Sequence, residues 1–395
     1  MRIVSGMRPT GKLHIGHFFG AVKNWVDLQK EHETLFFVAD WHALTTSYKD
    51  ISKIKENTLE MVADWIAMGL DPNKSTLFVQ SKVKYHAELN LILSMITPKS
   101  WLELNPTYKD TKYNLLKINH VEKEYSEKLI PLVDITLKHA PAIIEDEAMF
   151  KKVLLDGLTD IFIKLLIEGA IDKEKLGELN ISKRDFYETD TFGFFGYPVL
   201  MASDILIYNA DGVPVGEDQL PHIEITREIA RRFNYLYKEF FKEPKAILTE
   251  TPKLLGTDGR KMSKSYNNTI MIDETEEETT SKIMKMFTDP EKLRKNDSGH
   301  PEKCNVFSYH KIFTNLAETS NIELDCKSGK LGCVECKKIL AKNLNNFLAP
   351  IREKRKDIDK DMVKNILEEG NKKANQLAKS NMDSINDILG LGNSL

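Results

Sequence analysis

Apolar positions along the chain follow two periods. Ile3-Val4-Ser5 reads as a short strand, and Leu35–Ala39 and Thr76–Val79 as buried strand runs. Phe18, Ala21, Val22, Trp25 and Leu28 recur at helical spacing. Leu59, Val62, Ala63 and Ile66 mark one face of a helix near Ile51–Met68, and Glu88–Ile96 predicts another. Strand–helix alternation predicts an α/β fold, a parallel sheet covered on both faces, with ligands at the carboxyl ends of its strands. From Tyr113 to Asp190 strand signals fade. Phe150, Val153, Leu154, Leu158, Ile161, Leu165 and Leu166 predict a helix, with Asp172 and Ser182 as N-caps of shorter ones. The βα pattern returns at Phe192–Phe233. A loop rich in Gly, Lys and Ser covers Leu255–Asn268, and the remainder reads as helical around an irregular cysteine-bearing region. No repeat or low-complexity segment interrupts this order.

The chain has 395 residues, which suggests two or three domains. Its formal charge of −3 confines any nucleic-acid-binding surface to a local patch. The segment 113–190 contains 11 Lys/Arg and 16 Asp/Glu, a net of −5, and is expected to be an acidic helical insertion. No apolar run is long enough to cross a bilayer, and the opening residues read as a strand entering a glycine turn. The expectation is a cytoplasmic protein, without membrane association, whose four cysteines stay reduced.

Three stretches carry chemistry. Thr10-Gly11-Lys12-Leu13-His14-Ile15-Gly16-His17 places two imidazoles at a helix N-terminus, where backbone N–H groups favour phosphate oxygens. Gly16 leaves room for a flat adenine against the backbone. Gly259-Arg260-Lys261-Met262-Ser263-Lys264-Ser265 has two lysines three apart among small residues, suited to clamping a triphosphate. Tyr197, Met201 and Asp204 share a helix face, and an apolar pocket with one carboxylate suits an aromatic ring bearing one donor, indole N–H or phenol O–H. Each has a plainer reading alone: a βα turn, a solvated basic turn, an amphipathic surface helix.

Together and in this order, His14-Ile15-Gly16-His17 and Lys261–Ser265 resemble the two signatures of class I aminoacyl-tRNA synthetases. Ser5–Gly11, Ala39–Thr45 and Val213–Arg227 resemble the bacterial tryptophanyl-tRNA synthetases over all but roughly Tyr113–Asp190. Tyrosine enzymes share the fold but usually carry Gly-Gly-x-Asp-Gln where this chain has Val213–Gln219.

That resemblance implies a Rossmann-like catalytic domain (1–112 and 191–270), the insertion 113–190, and an all-α anticodon-binding domain (271–395). It implies a ligase that uses ATP with Mg²⁺, L-tryptophan and tRNA(Trp), as a homodimer. By motif position, Asp204 would bind the indole N–H, and Tyr197 and Gln219 the α-ammonium group. Val4, Gly6, His42, Met201, Ile205, Val213 and Val215 would line the tryptophan pocket. Arg8, Thr10, Gly16, Met262, Ser263 and Ser265 would border ATP, with Gly216 and Asp218 at its ribose. His14, His17, Lys261 and Lys264 would hold the phosphates and carry catalysis. The chain departs from relatives that have phenylalanine at Val4, or Thr and Asn at His14 and His17. The rivals are a tyrosine-specific synthetase and a non-catalytic tRNA-binding paralogue.

Cys304, Cys326, Cys333 and Cys336 are spaced C-x₂₁-C-x₆-C-x₂-C. Four thiolates suit Zn²⁺ or a [4Fe–4S] cluster. A zinc ribbon has two C-x₂-C pairs and this chain has one. The spacing resembles a subset of bacterial tryptophan enzymes that carry a [4Fe–4S] cluster, and unligated thiols remain a third reading. Lys327, Lys330, Lys337 and Lys338 predict a basic patch beside it. The segment is poor in aliphatic residues, so its core is expected to be thin and Cys304 to return across a long loop.

Overall fold

The computed structural model describes residues 1–103, 158, 161, 191–248 and 254–392. The insertion Tyr113–Asp190 and the helices expected in it lie outside the described residues, apart from two isolated positions.

Five parallel strands form one sheet in the order β3-β2-β1-β4-β5. They are β1 (Arg2–Met7), β2 (Glu33–Val38), β3 (Ser75–Val79), β4 (Gly212–Val215) and β5 (Lys245–Leu248). Chain order reverses between β1 and β4, where Ile3 pairs with Gly212. Ligands in such sheets bind at the carboxyl ends beside this switch point. A Cβ on Gly212 would stand 2.8 Å from Ile247 and 3.1 Å from Ile3, so only glycine packs there unshifted.

The helix expected after β1 begins with a short turn, Ile15–His17, widens into a π-type segment, Phe18–Val22, and ends as α1 (Lys23–Leu28). The wide turn carries adjacent aromatic residues to one partner. Phe18 and Phe19 both meet Phe347, with ring centroids 5.5 and 5.8 Å away. Then come α2 (Asp40–Ser47), α3 (Ile54–Ala67), α4 (Tyr85–Ile96), α5 (Phe192–Leu206) and α6 (Leu220–Leu236). Thr191 starts α5 by accepting the Phe194 N–H at 3.1 Å.

Beyond the lysine loop lie α7 (Glu276–Met284), α8 (Asn305–Phe313), α9 (Leu316–Lys327), α10 (Cys333–Lys356) and α11 (Lys360–Ile388). Thr275 and Glu278 close a capping box at the start of α7, and Asp359 caps α11 through the Asp361 and Met362 amides. α11 returns to the sheet and covers β3. Asn371 accepts the Val79 N–H at 2.9 Å, and Asn375 donates to the Lys82 carbonyl at 2.8 Å. A Cβ on Gly370 would fall 1.7 Å from the Leu77 carbonyl oxygen. The helix thus occupies an edge that would otherwise present unpaired amides.

Two apolar clusters cover the sheet faces. One joins Trp25, Phe36 and Trp65 to Tyr309, Leu340, Leu344 and Leu348. The cysteine-bearing helices therefore share a substantial core, which corrects the expected thin one. Nor does Cys304 return across a loop. It precedes α8, Cys326 lies in the last turn of α9, and Cys333 opens α10. Among the described residues no helix is long and apolar enough to cross a membrane.

Candidate active site

A cavity of about 410 Å³ opens at the switch point, within the usual range of small-molecule pockets. All ten residues expected around an amino acid line it: Val4, Gly6, His42, Tyr197, Met201, Asp204, Ile205, Val213, Val215 and Gln219. Arg8 and Gly216 lie on the same wall. β1 and β4 supply its floor, α2 brings His42, and successive turns of α5 bring Tyr197, Met201 and Asp204. A Cβ on Gly6 would stand 2.4 Å from the Phe37 ring, so glycine lets that aromatic reach the wall.

Asp204 is only 1% exposed. Its Oδ1 meets His86 Nδ1 at 2.6 Å and Gln80 Nε2 at 2.7 Å, and its Oδ2 meets His42 Nε2 at 2.8 Å. Burial alone would raise the carboxyl, but hydrogen bonds from His42 and His86 hold it below the usual carboxylate range. A carboxylate accepts only, so both imidazoles donate to it. His86 Nε2 then accepts the Tyr208 hydroxyl at 2.8 Å. Gln80 Oε1 accepts the Trp41 N–H at 3.1 Å, which turns the amide nitrogen toward Asp204. Gln80, His86 and Tyr208 escape a sequence reading. The available signal was a glutamine just after the apolar run Leu77-Phe78-Val79, and nothing local paired it with residue 204.

The second constellation joins the two signature segments. His14 bridges Met271, Ile15 donates to the Ile270 carbonyl at 3.0 Å, and Ile272 donates to that of Leu13 at 3.0 Å. Lys264 Nζ donates to the Thr10 carbonyl at 2.9 Å. The His14 and His17 rings lie 3.7 Å apart. Burial, then the nearby Lys264 charge, lowers His17 to about 4. Burial, then His17 and Lys264, lowers His14 to about 3. Both imidazoles are neutral at pH 7, so they can serve as hydrogen-bonding groups and not as fixed charges. The His14 amide donates to His17 Nδ1 at 3.2 Å, which leaves the His17 proton on Nε2.

A Cβ on Gly16 would meet the His14 ring at 2.9 Å and Met262 Sδ at 3.2 Å, so the absence of a side chain here also lets those two residues close on the turn.

The lysine loop is organised by a buried Asn268. Its Oδ1 accepts the Ser263 N–H at 2.7 Å, and its Nδ2 donates to Asp258 at 2.8 Å and to the Lys261 carbonyl at 3.1 Å. Met262 is buried, Lys261 is exposed, and Ser265 lies in the short turn Lys264–Tyr266. Near the cavity mouth, Asp218 accepts from Gln219 Nε2 at 2.9 Å, and Arg8 donates to Thr46.

The family model for class I tRNA synthetases (W and Y) matches residues 1–128 and 178–349. The chain belongs to this family. A tryptophan–tRNA ligase of Aquifex aeolicus is 59% identical, the alignment covering 99% of this chain and all of the relative. One of Thermotoga maritima is 46% identical over 99% of each. Among solved structures, the Campylobacter jejuni tryptophanyl-tRNA synthetase, complexed with ADP and tryptophan, aligns with a TM-score of 0.73. It is 31% identical, covering 99% of this chain and 100% of that one. The family model leaves out 129–177, but the Aquifex alignment runs through it. Likeness to relatives therefore does not stop at Tyr113–Asp190.

In this class I synthetase chain all four cysteines line one cavity of about 20 Å³. The donor chemistry fits zinc or an iron–sulfur cluster. Yet among the described residues no three metal-ligating side chains are grouped closely enough to hold an ion. The expected basic patch is partly neutralised. Lys327 pairs with Glu323 at 2.6 Å, Lys338 with Glu335 at 3.6 Å, and Lys337 donates to the Met284 carbonyl.

Proposed function

We propose that this chain is a tryptophan–tRNA ligase. The observation that carries the reading is the ionised, buried Asp204 in a cavity where Val4, Met201, Ile205, Val213 and Val215 supply apolar wall. An indole needs one acceptor and apolar walls, and a buried acceptor left unpaired discriminates strongly against rings that lack the donor. The ligase relatives, 59% and 46% identical end to end, support tryptophan over tyrosine. Of the donors around Asp204, only His42 lines the cavity, so an indole N–H would arrive beside it or in its place. Tyr197 and Gln219 would take the α-ammonium group.

In the reaction the tryptophan carboxylate attacks the α-phosphorus of ATP, releasing pyrophosphate and forming tryptophanyl-adenylate. A 3′-terminal ribose hydroxyl of tRNA(Trp) then attacks the adenylate carbonyl and releases AMP. Mg²⁺ would neutralise charge on the phosphates. The remaining work is positioning, by the His14–His17 turn and Lys264 on one side and the pocket on the other. Gly216 and Asp218 would border the ribose. Work on tRNA would fall in the cytoplasm, where translation runs.

We further propose the domain division 1–112 with 191–270, 113–190 and 271–395, the last reading the anticodon, and a homodimeric assembly as in the resembled family. The four cysteines would hold a [4Fe–4S] cluster, with zinc as the alternative. Their convergence on one cavity supports this. The role would be structural, because the ligase reaction moves no electrons.

ATP–pyrophosphate exchange across all twenty amino acids tests the central reading. Tryptophan should support exchange and tyrosine should not. Faster exchange with tyrosine would overturn the assignment.

A further inference from the structure

Asp64 lies near the end of α3, 1% exposed, and touches neither the amino-acid cavity nor the lysine loop. Its Oδ2 accepts the backbone N–H of Leu13 at 2.8 Å. Its Oδ1 accepts Nε of Arg355 at 2.8 Å, and Arg355 Nη2 donates to Glu60 at 2.6 Å. Leu13 directly precedes His14, and its carbonyl is held by Ile272. A buried carboxylate among Leu13, Met61 and Trp65 is poor material for a core, since a packed apolar residue there would serve stability as well or better. What this one supplies is a fixed acceptor for the amide that opens the phosphate turn.

The same helix holds the other side of that turn. Arg352, one turn before Arg355 on α10, donates to Thr279 Oγ1 at 2.6 Å. Thr279 in turn donates to Glu274 at 2.8 Å, and Glu274 accepts the Met271 N–H at 3.0 Å. Met271 is the bridge partner of His14. The last turn of α10 therefore reaches both strands of backbone that flank His14. Its first turn carries Cys333 and Cys336.

We propose that Asp64 and Arg355 are a positioning pair for nucleotide phosphates: without touching ATP, they set the Leu13 amide and with it the His14–His17 turn. The pair makes α10, which lies beyond the lysine loop, a structural determinant of ATP use. The inference rests on the reading of that turn as the ATP phosphate site.

The test compares Asp64→Asn, Arg355→Gln, Arg355→Lys and the double variant Asp64→Asn/Arg355→Gln. ATP binding is measured by calorimetry, tryptophan binding by fluorescence, and activation by pyrophosphate exchange. Asp64→Asn and Arg355→Gln should each lower kcat/KM for ATP by about 10–100-fold and leave tryptophan affinity within about twofold, because the loss falls on one substrate's transition-state positioning. The double variant should be little worse than the worse single, as expected for groups acting as one unit. Arg355→Lys, which keeps a cation at Asp64, should recover most of the loss. Wild-type ATP parameters in folded Asp64→Asn, or equal loss of ATP and tryptophan binding, would overturn the proposal. Should Asp64→Asn not fold, the arginine pair decides: equal effects of Lys and Gln overturn it, and rescue by Lys supports it. If the unaltered protein shows no tryptophan-dependent exchange, the ligase reading falls instead, and ATP binding by the same variants still decides the role of Asp64.

Discussion

Lys264 donates its ammonium hydrogen to the carbonyl oxygen of Thr10 at 2.9 Å, across 254 positions of sequence. The contact parks a cation against the turn proposed to receive phosphates. Burial lowers its pKa, so the charge costs more to hold there than in water and gains more from an incoming anion. Lys264→Ala should lower the rate of tryptophan activation by roughly 10²–10³, the usual effect of deleting one aimed charge from a transition state. Tryptophan affinity should change little. Equal losses in pre-steady-state rate and in tryptophan binding would show that the loop is only structural.

Asp204→Ala removes the acceptor from two buried donors, Gln80 and His86, as well as from His42. We expect a loss of stability of about 1–3 kcal/mol for each donor left without a partner, read by urea unfolding. Selectivity for tryptophan over tyrosine in exchange should fall by roughly 1–3 kcal/mol at the same time. An unchanged preference in the variant would remove Asp204 from recognition.

The buried histidines predict a pH window. His14 is lowered to about 3, and His17 and His222 to about 4, each first by burial. Unfolded histidine titrates near pH ~6.5, so on acidification the unfolded chain takes up protons before the folded one. Stability should be fully present above about pH 6.5 and decline as the pH falls toward 4. Chemical-denaturation midpoints at half-unit steps between pH 7 and 4 would read the slope. A flat profile after substitution of all three by glutamine would assign the decline to them, and an unaltered slope would not.

Much of the fold was legible because continuous apolar runs such as Leu35–Val38 have one good solution, a buried strand. β5 was not, since Lys245 and Leu248 are exposed and leave no alternation to read. The π-type turn at Phe18–Val22 was missed because the partner its two aromatic rings meet, Phe347, lies far along the chain. The cavity residues were legible through motif position. The partners of Asp204, and Asn268 beneath the lysine loop, are set by tertiary geometry, which leaves no local period. The cysteine region was read as a loop because residues 304–336 look polar and Leu316, Leu324 and Val334 are exposed, yet Val306, Phe307, Tyr309 and Ile322 are buried.

Anaerobically purified protein should be brown and contain roughly four iron atoms per chain, as a [4Fe–4S] centre requires. Cys336→Ser should bleach it and impair tRNA charging more than tryptophan activation. A colourless preparation with stoichiometric zinc would replace the cluster by a zinc site.

Gly370→Ala should destabilise the chain by about 1–3 kcal/mol, the usual cost of overpacking. Its methyl group would be driven into the Leu77 carbonyl, 1.7 Å away. Differential scanning calorimetry would register the lowered Tm. An unchanged Tm would mean that α11 does not press on β3 in solution.

The same contact sets a schedule for synthesis. The amide of Val79 waits for Asn371, 292 residues downstream. At ribosomal speeds of roughly 5–20 residues per second, β3 would be made on the order of 15–60 s before its cover exists. During that interval a nascent sheet offers a bare edge to any neighbouring chain on the same polysome. Protection has to come from elsewhere, whether from a chaperone or from delayed pairing of β3 with β2. The residues that close this edge are therefore translated long after the strand they cover.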